Sequence, residues 1–179
     1  MARKFQLFNV YGLRVSASMG GVLAFLAIWL LTAVIAAALI QLPLLDSIIG
    51  GFLAALLHYV SDMLHQLGHA VAARRTGHPM SGVYFWGIFG ASLYPKDEGE
   101  LPGRVHIQRA LGGPLASFAG TIVAGLLLAL VSAGGLLWWL LLFTFVDNLL
   151  VFALGALFPI RLGDFVTDGA TILYWRSRL

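Results

Sequence analysis

Three long stretches of this chain carry no charged side chain. No Asp, Glu, Lys or Arg lies between Arg14 and Asp46, between Asp46 and Asp62, or between Arg109 and Asp147. A helix needs about 20 apolar residues to cross the hydrocarbon of a bilayer. The runs therefore predict spans near 18–42, 49–73, 110–131 and 136–158, with the SAGG turn at 132–135 dividing the last two. Composition agrees. Of the 179 residues 60% are hydrophobic and only 11% charged, where a soluble domain has about a quarter charged. The expected fold class is an all-α polytopic membrane protein of about four transmembrane helices, with residues 1–179 forming one membrane-embedded domain. The first span is too long for a signal peptide and shows no clear small-residue cleavage site before Asp46, so it reads as a retained anchor.

Charge gives the orientation. With four spans, the N-terminus, the loop between spans two and three, and the C-terminus share one side. Those stretches hold Arg3, Lys4, Arg14, Arg74, Arg75, Lys96, Arg104, Arg109, Arg161, Arg176 and Arg178, which are all eleven basic residues. Positive charge marks the cytoplasmic face, so both termini are expected in the cytoplasm. The net charge of +3 then belongs to topology and to the headgroups of the lipid bilayer, and no nucleic-acid partner is expected. Absence of cysteine excludes disulfides and restricts any metal to nitrogen and oxygen ligands. The chain shows no internal repeat, and its loops are too short for a regulatory module.

The second span carries LHYVSDMLHQLGHAVAARRTG, residues 57–77. His65 and His69 stand four apart, so on a helix they differ by about 40° in azimuth and about 6 Å in rise and can reach one ion. Two helical histidines can also simply satisfy each other or a backbone group. The surroundings favour the ion. His58, Asp62, His65 and His69 form a polar stripe on an apolar helix, and ionisable groups inside a span are costly unless they face protein or water. Asp62, one turn before His65, can orient that ring's free nitrogen or make a polar contact to another helix. His58 lies toward the bilayer centre and reads as a packing or substrate-path residue. His78, between Gly77 and Pro79, reads as a turn residue, and His106, beside Arg104 and Arg109, is left outside the site.

A third ligand must come from elsewhere. The fourth span ends near Pro159 on the same side, and Asp164 and Asp168 follow it at the depth of the histidines. Asp168 can open a short helix, whereas Asp164 follows Gly163 in a turn. Asp147 and Asn148 lie mid-span, where they read as interhelical contacts first and substrate contacts second. Residues 81–95, SGVYFWGIFGASLYP, are aromatic, β-branched and glycine-broken, and too short for a span. They read as a strand pair or an interfacial loop.

These segments together resemble the site-2 proteases, a family of intramembrane zinc metallopeptidases. LHQLGHAVAARRTG resembles the family's HExxH helix, GGPLASFAG (112–120) its GPLAN segment, and LFPIRLGDFVTDGATIL (157–173) the proline segment whose Asp-Gly pair supplies the third ligand. KFQLFNVYGLRVSAS (4–18) resembles the strand leading into its first helix. The resemblance implies zinc held by His65, His69 and Asp168, with residue 66 as general base. It implies a re-entrant β-hairpin between spans two and three, and a transmembrane protein as substrate. An unwound substrate segment would add to a strand edge, for which Val83, Tyr84, Phe85, Gly90, Ala91 and Ser92 are the candidates.

Two positions depart from the pattern. Ala156 stands where an asparagine often precedes the proline, and Gln66 stands where the family has glutamate. An amide keeps the size of a carboxylate but takes no proton, and a lost acid–base relay costs about 10²–10⁴-fold in rate. The chain as given is expected to be a severely impaired protease. A deliberate Glu→Gln change would leave this intact ligand set, and a natural non-catalytic relative that binds membrane proteins would also carry it. A transporter using the His58–Asp62–His65–His69 stripe as a relay fits less well. The first span offers little polarity beyond Thr32, and the third only Ser117 and Thr121.

Overall fold

The computed structural model describes residues 4–163 and 165–179, so Asp164 lies outside the described residues. Four helical stretches are long and apolar enough to cross a membrane. Helix α1 (Met19–Ala38) starts where Ser18 accepts the Gly21 N–H at 3.3 Å. Helix α2 (Leu44–Arg75) begins after Pro43. At 1.5 Å per residue its 32 residues extend about 48 Å, well beyond the ~30 Å of hydrocarbon. Helix α3 (Gly103–Leu130) opens after Pro102. Helix α4 (Gly135–Val146) continues without a break into a π-helical segment, Asp147–Gly155. A short helix α5 (Asp168–Arg176) follows, capped by the Thr167 hydroxyl.

Two of these helices start earlier than the charge-free runs predict. Helix α2 begins at 44 rather than 49, and α3 at 103 rather than 110. The first turns of α3 carry Arg104, His106 and Arg109. They continue the helix out of the apolar zone, where hydropathy gives no signal.

Among the described residues six strands accompany the helices: β1 (Lys4–Val10), β2 (Leu13–Ser18), β3 (Gly82–Phe85), β4 (Gly90–Leu93), β5 (Arg161–Leu162) and β6 (Phe165–Val166). The first four form one sheet in the order β1-β2-β3-β4. The hairpin β3–β4 is antiparallel, yet β3 also pairs parallel with β2, Arg14 against Gly82 through Ala17 against Phe85. The sheet packs on the C-terminal end of α2. Leu13, Val15, Val83 and Phe85 bury against Ala70, Ala73 and Met80. At the other end Thr32 of α1 lies 3.1 Å from the Gly51 carbonyl of α2, and Trp29 donates to the Ile48 carbonyl at 2.9 Å. Much of the outer surface of α1, including Leu23, Leu30, Leu31 and Val34, is exposed and apolar, a surface suited to lipid.

The sheet corrects one expectation. Val83, Tyr84 and Phe85 lie on β3, whose backbone is paired on both sides. They have no free edge to offer an added strand. The free edge on that side belongs to β4, with Gly90, Ala91 and Ser92.

Candidate metal centre

Helix α2 places His65 and His69 one turn apart on its buried face, each 6% exposed. Their Nε2 atoms lie 3.0 Å apart. Asp168, the first residue of α5, brings Oδ2 to 3.2 Å from His65 Nε2 and Oδ1 to 3.5 Å from His69 Nε2. The structure thus gathers three ligand-type side chains from two distant parts of the chain.

The remaining nitrogens are held. His69 Nδ1 lies 2.8 Å from the Arg109 carbonyl. The Gly113 N–H lies further from the same nitrogen, at 3.2 Å. A carbonyl only accepts, so in the tautomer that serves the shorter contact Nδ1 carries the proton and the Nε2 lone pair points inward. His65 Nδ1 meets Ser117 Oγ at 3.0 Å, and the hydroxyl can accept in the same way.

Neighbouring glycines explain how the centre stays open. Gly68 of α2 and Gly112 of α3 face each other so closely that a Cβ on either would strike the other's carbonyl. Beside that crossing, a Cβ at Gly113 would overlap Nε2 of both His65 and His69. Gly169, directly after Asp168, sits against the Leu157 carbonyl with no room for a side chain. The GGP and Asp-Gly pairs are therefore spatial requirements. One lets the helices meet and leaves the centre empty of carbon, and the other seats α5 so that Asp168 reaches it.

The residues fit a zinc ion. Two inward lone pairs 3.0 Å apart repel unless positive charge lies between them. Ligands at about 2.0–2.1 Å around tetrahedral zinc stand about 3.3 Å from one another, and the observed separations are 3.0, 3.2 and 3.5 Å. Each imidazole also has the outer hydrogen bond that metal-bound histidines usually have.

The centre opens into a cavity of about 1060 Å³, bounded by β4, the π-helical segment and α5. Gln66 sits at its wall, 4% exposed. Its Nε2 donates to Asp62 Oδ1 at 3.3 Å and to the Gly90 carbonyl at 3.1 Å, and its Oε1 accepts from Ser92 Oγ at 2.7 Å. Asp62 does not orient His65, because Ser117 occupies that nitrogen. Its carboxylate accepts from Gln66 and from the Gly90 N–H instead. The polar contact of Asp62 runs to a strand, which the helical stripe alone does not reveal.

His58 and Asp147 pair at 3.1 Å, joining α2 to the π-helical segment, and His58 Nε2 meets the Ile88 carbonyl at 2.7 Å. Asn148 donates to Ser61 at 2.7 Å. None of His58, Asp147 and Asn148 joins the metal centre. Four contributors escape a reading of motifs: Ser117, the Arg109 carbonyl, Gly113 and the rim pair Arg109–Glu98. Ser117 and Gly113 lie within GGPLAS, but their roles depend on how α3 crosses α2. At the rim Arg109 donates to both carboxylate oxygens of Glu98 and stacks 4.2 Å over the Tyr94 ring. The guanidinium holds the Glu98 carboxyl below its ordinary range, and burial pushes the Tyr94 hydroxyl up to about 12. His106, outside the metal centre, stacks on Trp175 of α5 at 4.2 Å between ring centres.

Among solved structures, a site-2 protease from Methanocaldococcus jannaschii superimposes with a TM-score of 0.61, covering 96% of this chain and 70% of that one. The fold is that of a site-2 protease. Sequence identity is 23%, so the likeness lies in architecture. No protein-family profile matches the chain, and no curated protein matches it. The site-2 protease fold accounts for the four long helices and for the β3–β4 hairpin between α2 and α3.

Proposed function

We propose that this chain is an integral membrane zinc metallopeptidase core of the site-2 type, acting on a transmembrane segment of another protein, with Gln66 leaving it severely impaired as given. The observation that carries the reading is the convergence of His65, His69 and Asp168 at separations suited to tetrahedral zinc. Zinc, when bound, would supply a Lewis acid that polarises a peptide carbonyl and makes water acidic enough to attack it. The chain's own residues do the rest. Ser117 and the Arg109 carbonyl orient the imidazoles. Strand β4 is the edge of the sheet beside the cavity. Asp62 and Gln66 take that edge at Gly90, and an unwound segment could pair by backbone hydrogen bonds further along it, at Ser92. Unwinding is required because the amides of a helical segment are already bonded internally. Both termini face the cytoplasm in this reading, with the centre near the inner leaflet's surface.

A second reading has support in the saturated hydrogen bonding of the Gln66 amide. The same pocket could hold a membrane protein without cutting it. Metal analysis of purified protein tests the common ground. About one zinc per chain is expected, with loss in His69→Ala. Wild-type protein without zinc, or a variant that keeps it, removes the site. Hydrolysis gained once a carboxylate stands at 66 favours the enzyme, and silence with zinc bound favours the binder.

A further inference from the structure

The contacts of Gln66 are as specific as those of the histidines, and they concern a different pair of elements. Asp62 and Gln66 lie one turn apart on α2, 1% and 4% exposed. Together they make four hydrogen bonds, one to each other and three to β4. Asp62 Oδ2 accepts the Gly90 N–H at 2.5 Å, and the Gln66 amide donates to the Gly90 carbonyl and accepts from Ser92. Strand β4 is an edge, so the outward N–H and C=O of Gly90 have no strand partner. Two side chains of α2 supply partners for both. Gly90 also stands so near the Asp62 carboxylate that a Cβ would lie 3.2 Å from either oxygen.

We propose that Asp62 and Gln66 form a clasp that fixes the edge strand β4 against α2, and that Asp62 thereby dictates an amide at position 66. Both amide hydrogens of Gln66 are used, one on the Asp62 carboxylate at 3.3 Å and one on the Gly90 carbonyl at 3.1 Å. A carboxylate at 66 puts an oxygen where that nitrogen stands, facing two acceptors with no hydrogen between. The clasp then opens, and the strand beside the metal centre loses its fixed position. Reinstating the family's glutamate alone therefore restores hydrolysis only weakly. The new carboxylate needs a donor at 62, which Asp62→Asn provides through its amide nitrogen, while its oxygen still accepts the Gly90 N–H. Asp62 and Gln66 act here as positioning residues. The clasp itself needs no metal, and its consequence for hydrolysis rests on the function proposed above.

The test is a mutational cycle on the full chain in detergent: wild type, Q66E, D62N and D62N/Q66E. Amide exchange across residues 88–93, zinc content and cleavage of a single-span reporter are read in parallel. Q66E is expected to speed exchange at Gly90 on the order of tenfold. The double variant is expected to return most of that protection and to cleave the reporter at least about tenfold faster than Q66E alone. Wild-type exchange in Q66E overturns the clasp, as does a double variant that exchanges as fast as Q66E. If Q66E does not accumulate as folded protein, Ser92→Ala deletes one clasp bond without adding charge. Faster exchange at Gly90 supports the clasp there, and unchanged exchange overturns it. The expected exchange pattern without zinc in any member sinks the metallopeptidase reading while the clasp stands.

Discussion

Helix α2 carries two buried histidine–aspartate groups less than two turns apart, and they are built oppositely. At His58 both ring nitrogens are occupied, one by the Asp147 carboxylate at 3.1 Å and one by the Ile88 carbonyl at 2.7 Å. Neither nitrogen faces open space, and the group ties the π-helical segment and the sheet connection to α2. At His65 and His69 one nitrogen of each ring is engaged outward and the other points at its counterpart, with Asp168 completing the ring of donors. The residue types are the same. What separates a fastening from a ligand site is an excess of donors converging on a space kept clear by Gly113.

Variants can break this contrast in graded ways. The largest effect is expected from Gly113→Ala. It leaves all three ligand side chains in place but puts a methyl group against both Nε2 atoms. Zinc content should fall from about one equivalent to below about a tenth, because ligand positions tolerate only about 0.5 Å of error. Metal analysis of the folded variant checks this, and full occupancy would show that the clear space is incidental. Next is His58→Ala, which strands the buried Asp147 carboxylate. A cost of about 3–5 kcal/mol in resistance to unfolding is expected, with zinc content unchanged. Loss of zinc there would erase the distinction between the two groups.

A smaller change is expected from Ser117→Ala, which frees His65 Nδ1. Zinc affinity should drop about 10–100-fold in a titration against a competing chelator, with little effect on folding. The smallest effect concerns the rim pair. Arg109 holds the Glu98 carboxyl below its ordinary value of about 4.5. The folded value lies under the unfolded one, so the pair's contribution is full above the unfolded value and is lost as pH falls through the folded one. Acidification below about 4.5 should speed amide exchange in residues 95–102, and Glu98→Gln should remove that pH dependence.

Much of the architecture is legible without coordinates because lipid imposes it. Charge-free runs mark the spans, and a histidine pair four apart marks one face of a helix. The failures share a cause, which is pairing across long sequence separation. Nothing local in Leu13–Ser18 announces that it lies parallel to Gly82–Phe85, so Val83, Tyr84 and Phe85 read from sequence as candidates for pairing with a substrate. Asp62 shows the same limit. Its place on the stripe is readable, but its partner, Gly90, arrives 28 residues later on a strand. Ser117 and the Arg109 carbonyl reach the histidines only because α3 crosses α2 at a glycine contact. The π-helical winding of Asp147–Gly155 has no compositional mark, since an apolar segment suits either helix.

That winding has a consequence for how the chain tolerates change in length. A π turn takes about one more residue than an α turn, so Asp147–Gly155 holds a residue that ordinary winding has no place for. Deleting one residue from the α-wound part of α4, with the π winding kept, would rotate everything beyond it by about 100°. The aspartate that opens α5 would swing off the histidines although no side chain near them had been altered. Between Gly135 and Gly155 the number of residues matters alongside the identity of Asp147 and Asn148, so the centre is phased by counting as much as by chemistry.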